Sequence, residues 1–245
     1  MTSYLITGSS RGIGLELTRQ LVNSNKDVTI FASSRSSNSA EFRNLLEKHP
    51  EQIMFVTLDV TRKESIEKAV ERVSAKLDGR ELDVLINNAG ALSLGRVEDM
   101  QSKDLEEIFR TNVSGVHEVT KAMLPLMRRG GKKKILNISS MLGSITNQSQ
   151  GDQVAIPSYS ISKAALNMLT VAYAHDLEKE GFTVFCVSPG WLKSDMGGQN
   201  ADLPVKTGVT GVLEILERTG RDGNGRFFNI HVPGWERYTG EEIPW

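Results

Sequence analysis

The chain has 245 residues, with 29 Lys and Arg against 30 Asp and Glu, and a formal net charge of −1. A nucleic-acid-binding surface needs a basic excess, so this balance argues against that class of function. The single cysteine, Cys186, excludes a disulfide within the chain. No apolar run is long enough to span a membrane and the N-terminus lacks a signal-peptide layout, so we expect a cytoplasmic protein without membrane contact.

Short apolar runs alternate with longer amphipathic segments along the chain. The predicted strands cover residues 3–7, 28–32, 53–58, 82–87, 135–139, 183–187 and 226–230. The predicted helices cover residues 12–24, 40–48, 65–77, 103–127, 158–180 and 205–218. Continuously apolar strands separated by helices are typical of a parallel sheet that is buried on both faces. We therefore predict a single α/β domain over residues 1–245, a Rossmann-type doubly wound sheet of about seven strands.

Two segments interrupt this alternation, residues 141–157 and residues 190–204. Long loops in compact domains usually carry function. Both follow predicted strands, and ligands of open parallel sheets bind beyond the carboxyl ends of the strands. We expect residues 190–204, hereafter the substrate loop, to contact substrate. A C-terminal tail of uncertain role covers about residues 231–245.

A glycine-rich turn, TGSSRGIG at residues 7–14, joins the first predicted strand to the first helix. Glycines allow a tight turn and a close backbone approach to phosphate, and a helix N-terminus favours an anion. The spacing differs from G-x-G-x-x-G, and a plain strand-to-helix turn is the alternative interpretation. The position between strand and helix favours dinucleotide binding, by Gly8, Ser10, Arg11, Gly12, Ile13 and Gly14.

The second predicted strand is followed by Ser33-Ser34-Arg35. An acidic residue at this place is typical of NAD sites, whereas an arginine accommodates the 2′-phosphate of NADP. The nearest acid, Asp27, stands at the start of that strand. Arg35 could therefore bind the phosphate and Arg11 could add a second charge, unless both are ordinary surface arginines. The sequence thus predicts NADPH/NADP+ as the cofactor.

Tyr159 and Lys163 are four residues apart on a predicted helix, so their side chains share one face. A carbonyl that accepts a hydride becomes an alkoxide and needs a proton. The ordinary pKa of a phenol, about 10, is too high for easy exchange at neutral pH, and a nearby ammonium should lower it. Among the four tyrosines only Tyr159 has a lysine four residues later. We therefore predict that Tyr159 is the acid/base of a carbonyl-reducing enzyme.

Five motifs in fixed order cover nearly the whole chain: TGSSRGIG at 7–14, NNAG at 87–90, NISS at 137–140, YSISK at 159–163 and PGWLKSDM at 189–196. This set resembles the short-chain dehydrogenase/reductase family. Residues 139–145, residues 189–198 and the tail look similar to Sniffer-type carbonyl reductases, C-factor-like members and some fungal ketoreductases. The resemblance implies an NADP(H)-dependent carbonyl reductase or alcohol dehydrogenase that forms a homodimer or homotetramer.

The resemblance also implies individual roles. Ser140 would orient the substrate oxygen, with Ser139 as the competing choice. Asn112 would hold a water that links Lys163 to solvent, and Lys163 would bind the nicotinamide ribose. Further cofactor contacts would come from Ser34, Asp59, Val60, Asn87, Ala89, Gly90, Pro189, Gly190, Leu192 and Ser194. The substrate pocket would be lined by Ser140, Met141, Leu142, Trp191 and Met196.

Several of these residues have simpler alternative roles. Asp59 could cap the next helix, Asn112 could be a satisfied polar group in a buried helix, and Trp191 could pack on the sheet edge. The histidines lack metal-ligand spacing, so no metal is expected. Two other functions stay open: a nucleotide-sensing regulatory protein of the C-factor type, and an NAD-dependent alcohol dehydrogenase.

Overall fold

The structure, a computed structural model, describes residues 1–24, 26–149 and 156–245. Its strands are β1 (Thr2–Thr7), β2 (Val28–Ser34), β3 (Ile53–Thr57), β4 (Val84–Asn87), β5 (Lys134–Ile138), β6 (Thr183–Ser188), β7 (Leu192–Lys193), β8 (Leu203–Pro204) and β9 (Phe227–Asn229). Seven of the described strands form one parallel sheet in the order β3-β2-β1-β4-β5-β6-β9, while β7 pairs with β8. The chain leaves β1 toward β3 and then returns to continue from β4. The crevice between β1 and β4 is the switch point at which such sheets bind nucleotides, and the predicted Rossmann-type sheet is confirmed.

Helices cover both faces of this sheet. They are α1 (Gly12–Ser24), α2 (Ala40–Lys48), α3 (Lys63–Leu77), α4 (Ser102–Phe109), α5 (Gly115–Met127), α6 (Ile145–Gln148), α7 (Pro157–Leu177) and α8 (Val205–Arg218). One buried apolar cluster joins the sheet to α1, α2 and α8, and the other joins it to α3, α5 and α7. Neighbouring strand residues supply opposite clusters, as Leu5 and Ile6 do, because side chains alternate along a strand. Burial of both faces explains why the strands are mostly apolar instead of alternating apolar and polar residues.

The predicted helix over residues 103–127 is divided in the structure. A π-helical turn, Arg110–Ser114, separates α4 from α5. The new helix starts at Gly115, where an added Cβ would lie 2.9 Å from the carbonyl oxygen of Val60. A glycine therefore lets α5 begin directly against the end of β3. Pro125 does not end the helix, which continues to Met127.

The two irregular segments contain more structure than the sequence predicts. Residues 141–157 begin with a 3-10 turn, Met141–Gly143, and α6, while residues 150–155 lie outside the described part of the chain. The substrate loop is closed on itself by the pairing of Leu192 with Leu203. Among the described helices none is both long and apolar enough to cross a membrane.

Candidate active site

The glycine-rich turn between β1 and α1 depends on close backbone contacts. Gly8 adopts a φ of +74°, in the left-handed region that favours glycine. A Cβ on Gly14 would lie 2.3 Å from the carbonyl oxygen of Gly8. The backbone N–H of Ser9 donates to the carbonyl of Ser33 at 2.8 Å and fixes the turn to the end of β2. The first N–H groups of α1 lack helical acceptors, which is the arrangement that binds phosphate.

Asn88 anchors this turn, and the sequence interpretation did not include it. Its Nδ2 donates to the carbonyls of Thr7 at 2.7 Å and Gly8 at 3.2 Å. The Thr7 hydroxyl accepts the N–H groups of Asn88 at 2.9 Å and Ala89 at 3.0 Å. The NNAG turn after β4 and the glycine-rich turn after β1 therefore form one unit. The sequence does contain a signal for Asn88, because it is the first residue after β4, where polar residues of parallel sheets contact ligands.

Asn87 points away from this unit. Its Nδ2 donates to Thr120 Oγ1 at 3.0 Å and to Asn137 Oδ1 at 2.8 Å. Asn137 in turn donates to Thr170 Oγ1 at 2.8 Å, so a buried polar chain joins α5, the sheet and α7. The side chain of Asn87 is therefore used within the protein core. A contact from Asn87 to the cofactor would have to come from its backbone.

The ends of β2 and β3 bring Arg35 and Asp59 together. Burial raises the pKa of Asp59, but hydrogen bonds from Thr61 and the positive charges of Arg35 and Arg62 outweigh burial and lower the pKa. Asp59 Oδ1 accepts the Thr61 N–H at 3.0 Å and the Thr61 hydroxyl at 2.7 Å. The N-cap residue of α3 is Arg62, so Asp59 shapes the turn and does not cap the helix.

Arg11 and Arg35 have different surroundings. Arg11 forms an exposed ion pair with Asp195 of the substrate loop at 2.9 Å, whereas Arg35 forms no ion pair with any described residue. The Ser34 hydroxyl is turned back to the carbonyl of Ser36 at 2.6 Å. Arg35 is therefore available to an anion, while Arg11 would have to exchange partners. The other residues expected at the cofactor lie at the carboxyl edge of the sheet, either at the start of α1 or in the segments that follow the strands: Ser10, Gly12, Ile13, Val60, Ala89, Gly90 and Pro189.

Tyr159 lies in the first turn of α7, with its phenol facing the side chain of Ser140. Burial raises the pKa of Tyr159 to about 12 and outweighs the lowering effect of Ser140. Lys163 Nζ lies 5.5 Å from the centroid of the Tyr159 ring. The expected lowering of the phenol pKa by this ammonium is wrong for this structure, because desolvation dominates. The phenol therefore keeps its proton at neutral pH.

Lys163 is buried, with only 4% of its surface exposed. Its Nζ donates to the carbonyl of Ile138, the last residue of β5, at 2.7 Å. Burial lowers the pKa of Lys163 to about 8, and the neighbouring Cys186 opposes this only weakly. The turn after Ser140 packs on the same lysine, because a Cβ on Gly143 would lie 2.8 Å from Lys163 Cβ. Lys163 is thus enclosed by β5, β6 and this turn.

The structure separates the two serines after β5. The Ser139 hydroxyl is buried and donates to Asn167 Oδ1 at 2.6 Å. The Ser140 hydroxyl accepts the N–H of Leu142 at 3.2 Å and meets the phenol of Tyr159. Ser140 is therefore the serine that stands beside the predicted acid/base.

Asn112 lies in the π-helical turn and is fully buried. Its Oδ1 accepts the Ala91 N–H at 2.8 Å, and its Nδ2 donates to the Ala91 carbonyl and to Ser162 Oγ, both at 2.9 Å. The Ser162 hydroxyl donates to the backbone carbonyl of Tyr159 at 2.7 Å. The Asn112 side chain therefore braces the turn that carries Tyr159. A water relay toward Lys163 would have to use the backbone of the π-helical turn.

The residues expected in the substrate pocket come from both irregular segments. Trp191 and Met196 of the substrate loop are exposed at 44% and 46%. The indole of Trp191 donates to the carbonyl of Gly197 at 2.8 Å, so Trp191 is held by its own loop and does not pack on the sheet edge. Leu192 is buried, and Ser194 Oγ accepts the Gly197 N–H at 3.1 Å. Met141 and Leu142 lie in the turn after Ser140, and no described residues cluster as a metal site.

The sequence and the fold are similar to those of known proteins. The short chain dehydrogenase family matches residues 3–203. The chain belongs to this family. C-signal of Myxococcus xanthus is 38% identical over 165 residues, which are 67% of this chain and 93% of that protein. Among solved structures, an NADPH-bound carbonyl reductase from chicken fatty liver is 33% identical, with a TM-score of 0.90 over 100% of this chain and 99% of its own.

The carbonyl reductase Sniffer of D. melanogaster is 30% identical and has a TM-score of 0.91 over 100% of both chains. The resemblance drawn from the motifs is thus confirmed. In this short-chain dehydrogenase, three features lie together at the carboxyl edge of the sheet. They are the glycine-rich turn, the Asn88 anchor and the group of Ser140, Tyr159 and Lys163.

The substitution Gly14→Ala tests the glycine-rich turn. The added Cβ would meet the Gly8 backbone, so we expect a loss of about 1–3 kcal/mol in the free energy of unfolding and loss of NADPH binding. Urea unfolding and fluorescence titration with NADPH measure the two effects. Gly131→Ala is the matched control, because nothing lies within 4 Å of the added Cβ. Wild-type NADPH affinity in Gly14→Ala would contradict this role of the turn.

Proposed function

We propose that this short-chain dehydrogenase is an NADP(H)-dependent carbonyl reductase that converts a ketone, aldehyde or quinone into the alcohol. One observation carries the proposal. A protonated phenol, Tyr159, lies partly buried beside the Ser140 hydroxyl and the buried Lys163, at the edge of the sheet that also carries the glycine-rich turn. A phenol that keeps its proton suits the donation of that proton to a reduced carbonyl.

Three observations support NADP(H) as the cofactor. The glycine-rich turn suits a dinucleotide, because Gly8 and Gly14 let it pack tightly at the start of α1, where free backbone N–H groups can bind phosphate. Arg35, at the end of β2, is available to a 2′-phosphate and lies near Asp59. The chicken liver relative, 33% identical, is described as NADPH-bound. When bound, the cofactor supplies the hydride that reduces the carbonyl carbon.

The residues of this chain would bind the carbonyl and supply the proton. The Ser140 hydroxyl donates a hydrogen bond to the substrate oxygen and holds it beside Tyr159. As that oxygen gains negative charge, the Tyr159 O–H transfers its proton to it, leaving a phenolate. The Lys163 ammonium stabilises the phenolate, because opposite charges attract strongly in a site from which water is excluded. Asn112 acts indirectly, through Ser162, on the backbone of Tyr159.

Tyr159→Phe tests the proposal. Removal of the phenol hydroxyl should lower turnover of a carbonyl substrate by roughly 10²–10⁴-fold, because it removes the proposed general acid. The NADPH dissociation constant should stay within about threefold of wild type, a change below about 0.7 kcal/mol. Turnover is followed by the absorbance of NADPH, and its affinity by fluorescence titration.

Tyr173→Phe is the matched control. Tyr173 also lies on α7, but its hydroxyl is hydrogen-bonded to His117 Nδ1 at 2.8 Å, so this variant should keep wild-type turnover. Wild-type turnover in Tyr159→Phe would reject the assignment of Tyr159.

A nucleotide-sensing regulatory role is the second candidate, and the 38% identity to C-signal favours it. Catalysis is the better supported function, because a sensor does not need Ser140, Tyr159 and Lys163 together. Tight NADPH binding without turnover of any member of a carbonyl panel would favour the sensor. Tighter binding of NADH than of NADPH would instead favour an NAD-dependent alcohol dehydrogenase and overturn the role of Arg35.

A homo-oligomer built on α4, α5 and α7 is also part of the proposal. Apolar side chains of α4 and α7 are exposed: Phe109 at 38%, Ile161 at 45% and Met168 at 68%. A helix that is apolar on its outer face as well as its inner face is typical of burial on both sides. Light scattering should therefore give a dimer or tetramer, and a monomer at micromolar concentration would contradict this interface.

A further inference from the structure

The C-terminal tail, residues 231–245, folds back on the edge strand of the sheet. Ile243 donates its N–H to the carbonyl of Phe227 at 2.7 Å, and Asn229 donates its N–H to the carbonyl of Glu241 at 2.9 Å. The side chain of Asn229 also donates to the carbonyl of Arg237 at 2.8 Å. The tail is therefore fixed to β9 and does not hang free at the surface.

Tyr238 connects the tail to the substrate loop. Its ring is buried, its hydroxyl donates to Asp202 Oδ2 at 2.5 Å, and the same oxygen accepts the N–H of Trp191 at 3.1 Å. Burial raises the pKa of Tyr238 to about 12, so the phenol keeps the proton that it donates. A Cβ on Gly190 would lie 3.1 Å from Tyr238 Cε1. One hydroxyl thus joins the two ends of the substrate loop.

The last residues of the tail hold the segment after Ser140. The Ser144 hydroxyl donates to the carbonyl of Pro244 at 2.6 Å. Thr146 donates to the backbone oxygen of Trp245 twice, from its N–H at 3.1 Å and from its hydroxyl at 2.7 Å. The Trp245 ring stacks on Phe227, with centroids 5.5 Å apart and an angle of 20° between the planes. The tail therefore contacts both segments that flank the predicted acid/base.

The tail packs against the turn that follows Ser140. Met141 packs against a buried cluster of Cys186, Phe227 and Ile243, and Ile243 belongs to the tail. On its other side the same turn rests on α7 through Gly143. A displacement of the tail would therefore move Met141 relative to α7, and with it the wall beside Tyr159.

We propose that the C-terminal tail sets the separation of the two walls of the substrate site, with Tyr238 and Trp245 as positioning residues for the carbonyl substrate. This inference rests on the proposed function, because the site is the one that contains Tyr159. The two anchors hold different walls: Tyr238 the substrate loop, and Trp245 the turn after Ser140. Neither contacts the glycine-rich turn or Arg35, and Tyr238 reaches the expected nicotinamide end through the packing of its ring on Gly190, which Tyr238→Phe keeps. Carbonyl binding should therefore depend on the tail more than NADPH binding does.

Tyr238→Phe tests the first anchor. It keeps the ring that packs on Gly190 and removes the hydroxyl shared by Asp202 and Trp191. The KM of a ketone substrate should rise roughly threefold to tenfold, the factor expected from loss of about one hydrogen bond. The NADPH dissociation constant should stay within about twofold of wild type. Thr239→Val is the matched control, because its hydroxyl accepts the Glu241 N–H at 3.2 Å within the tail and touches neither wall.

Trp245→Ala tests the second anchor, with Trp245→Phe as the conservative partner. The alanine variant should raise the KM of a bulky carbonyl more than that of a small one. The phenylalanine variant should restore the wild-type ratio, because its ring can still stack on Phe227. A melting curve establishes that each variant is folded, and Tyr238→Phe supplies the test if Trp245→Ala does not fold.

Unchanged KM values and substrate ratios in folded Tyr238→Phe and Trp245→Ala would overturn the inference. A KM for the carbonyl that changes in step with the NADPH dissociation constant would also overturn it, because the tail would then support the whole domain. Failure of the proposed function looks different, since the wild-type protein would then reduce no carbonyl at all.

Discussion

The site depends on Tyr159 and Lys163, which lie side by side on α7 against the end of β5, with the lysine buried and the tyrosine partly buried. Taking either charged form out of water is costly, and the pKa values of both groups shift toward the neutral species, to about 12 for the phenol and about 8 for the amine. The carbonyl of Ile138 offsets part of the desolvation cost of the lysine by accepting a hydrogen bond from its Nζ at 2.7 Å. A hydrogen bond from an ammonium to a backbone carbonyl is stronger than a neutral one and fixes the lysine in place.

The surrounding structure keeps this pair in position. Gly143 lets the turn after β5 rest directly on Lys163, and that turn brings the Ser140 hydroxyl to the phenol. From the other side, the π-helical turn inserts Asn112 between Ala91 and Ser162, which holds the backbone of Tyr159. π-helical turns are rare in proteins, and those that occur are often found at functional sites. At the nucleotide end, Asn88 plays the equivalent part by tying two turns of the sheet edge together.

The fold and much of the site could be predicted from the sequence because their signals are local. Alternating apolar runs indicated the parallel sheet, and helical spacing placed Tyr159 and Lys163 on one face. Other features depend on contacts between residues far apart in sequence. The Asn88 anchor, the bonding of Asn112 and the contact of Tyr238 with Asp202 could not be read from spacing. The direction of the Tyr159 pKa shift was predicted wrongly because helical spacing reveals the nearby ammonium but not the burial that outweighs it.

The central claim is that the buried Lys163 must carry its charge while Tyr159 donates its proton. The dependence of kcat/KM on pH, measured for carbonyl reduction, tests this claim most directly. Lys163 has a lowered pKa of about 8, so its ammonium is present below that pH and lost above it. We therefore expect kcat/KM to fall as the pH rises through about 8, and to fall only at higher pH in an active Lys163→Arg variant, whose guanidinium stays charged. A wild-type profile that stays level up to the ordinary pKa of lysine, about 10.4, would contradict the claim.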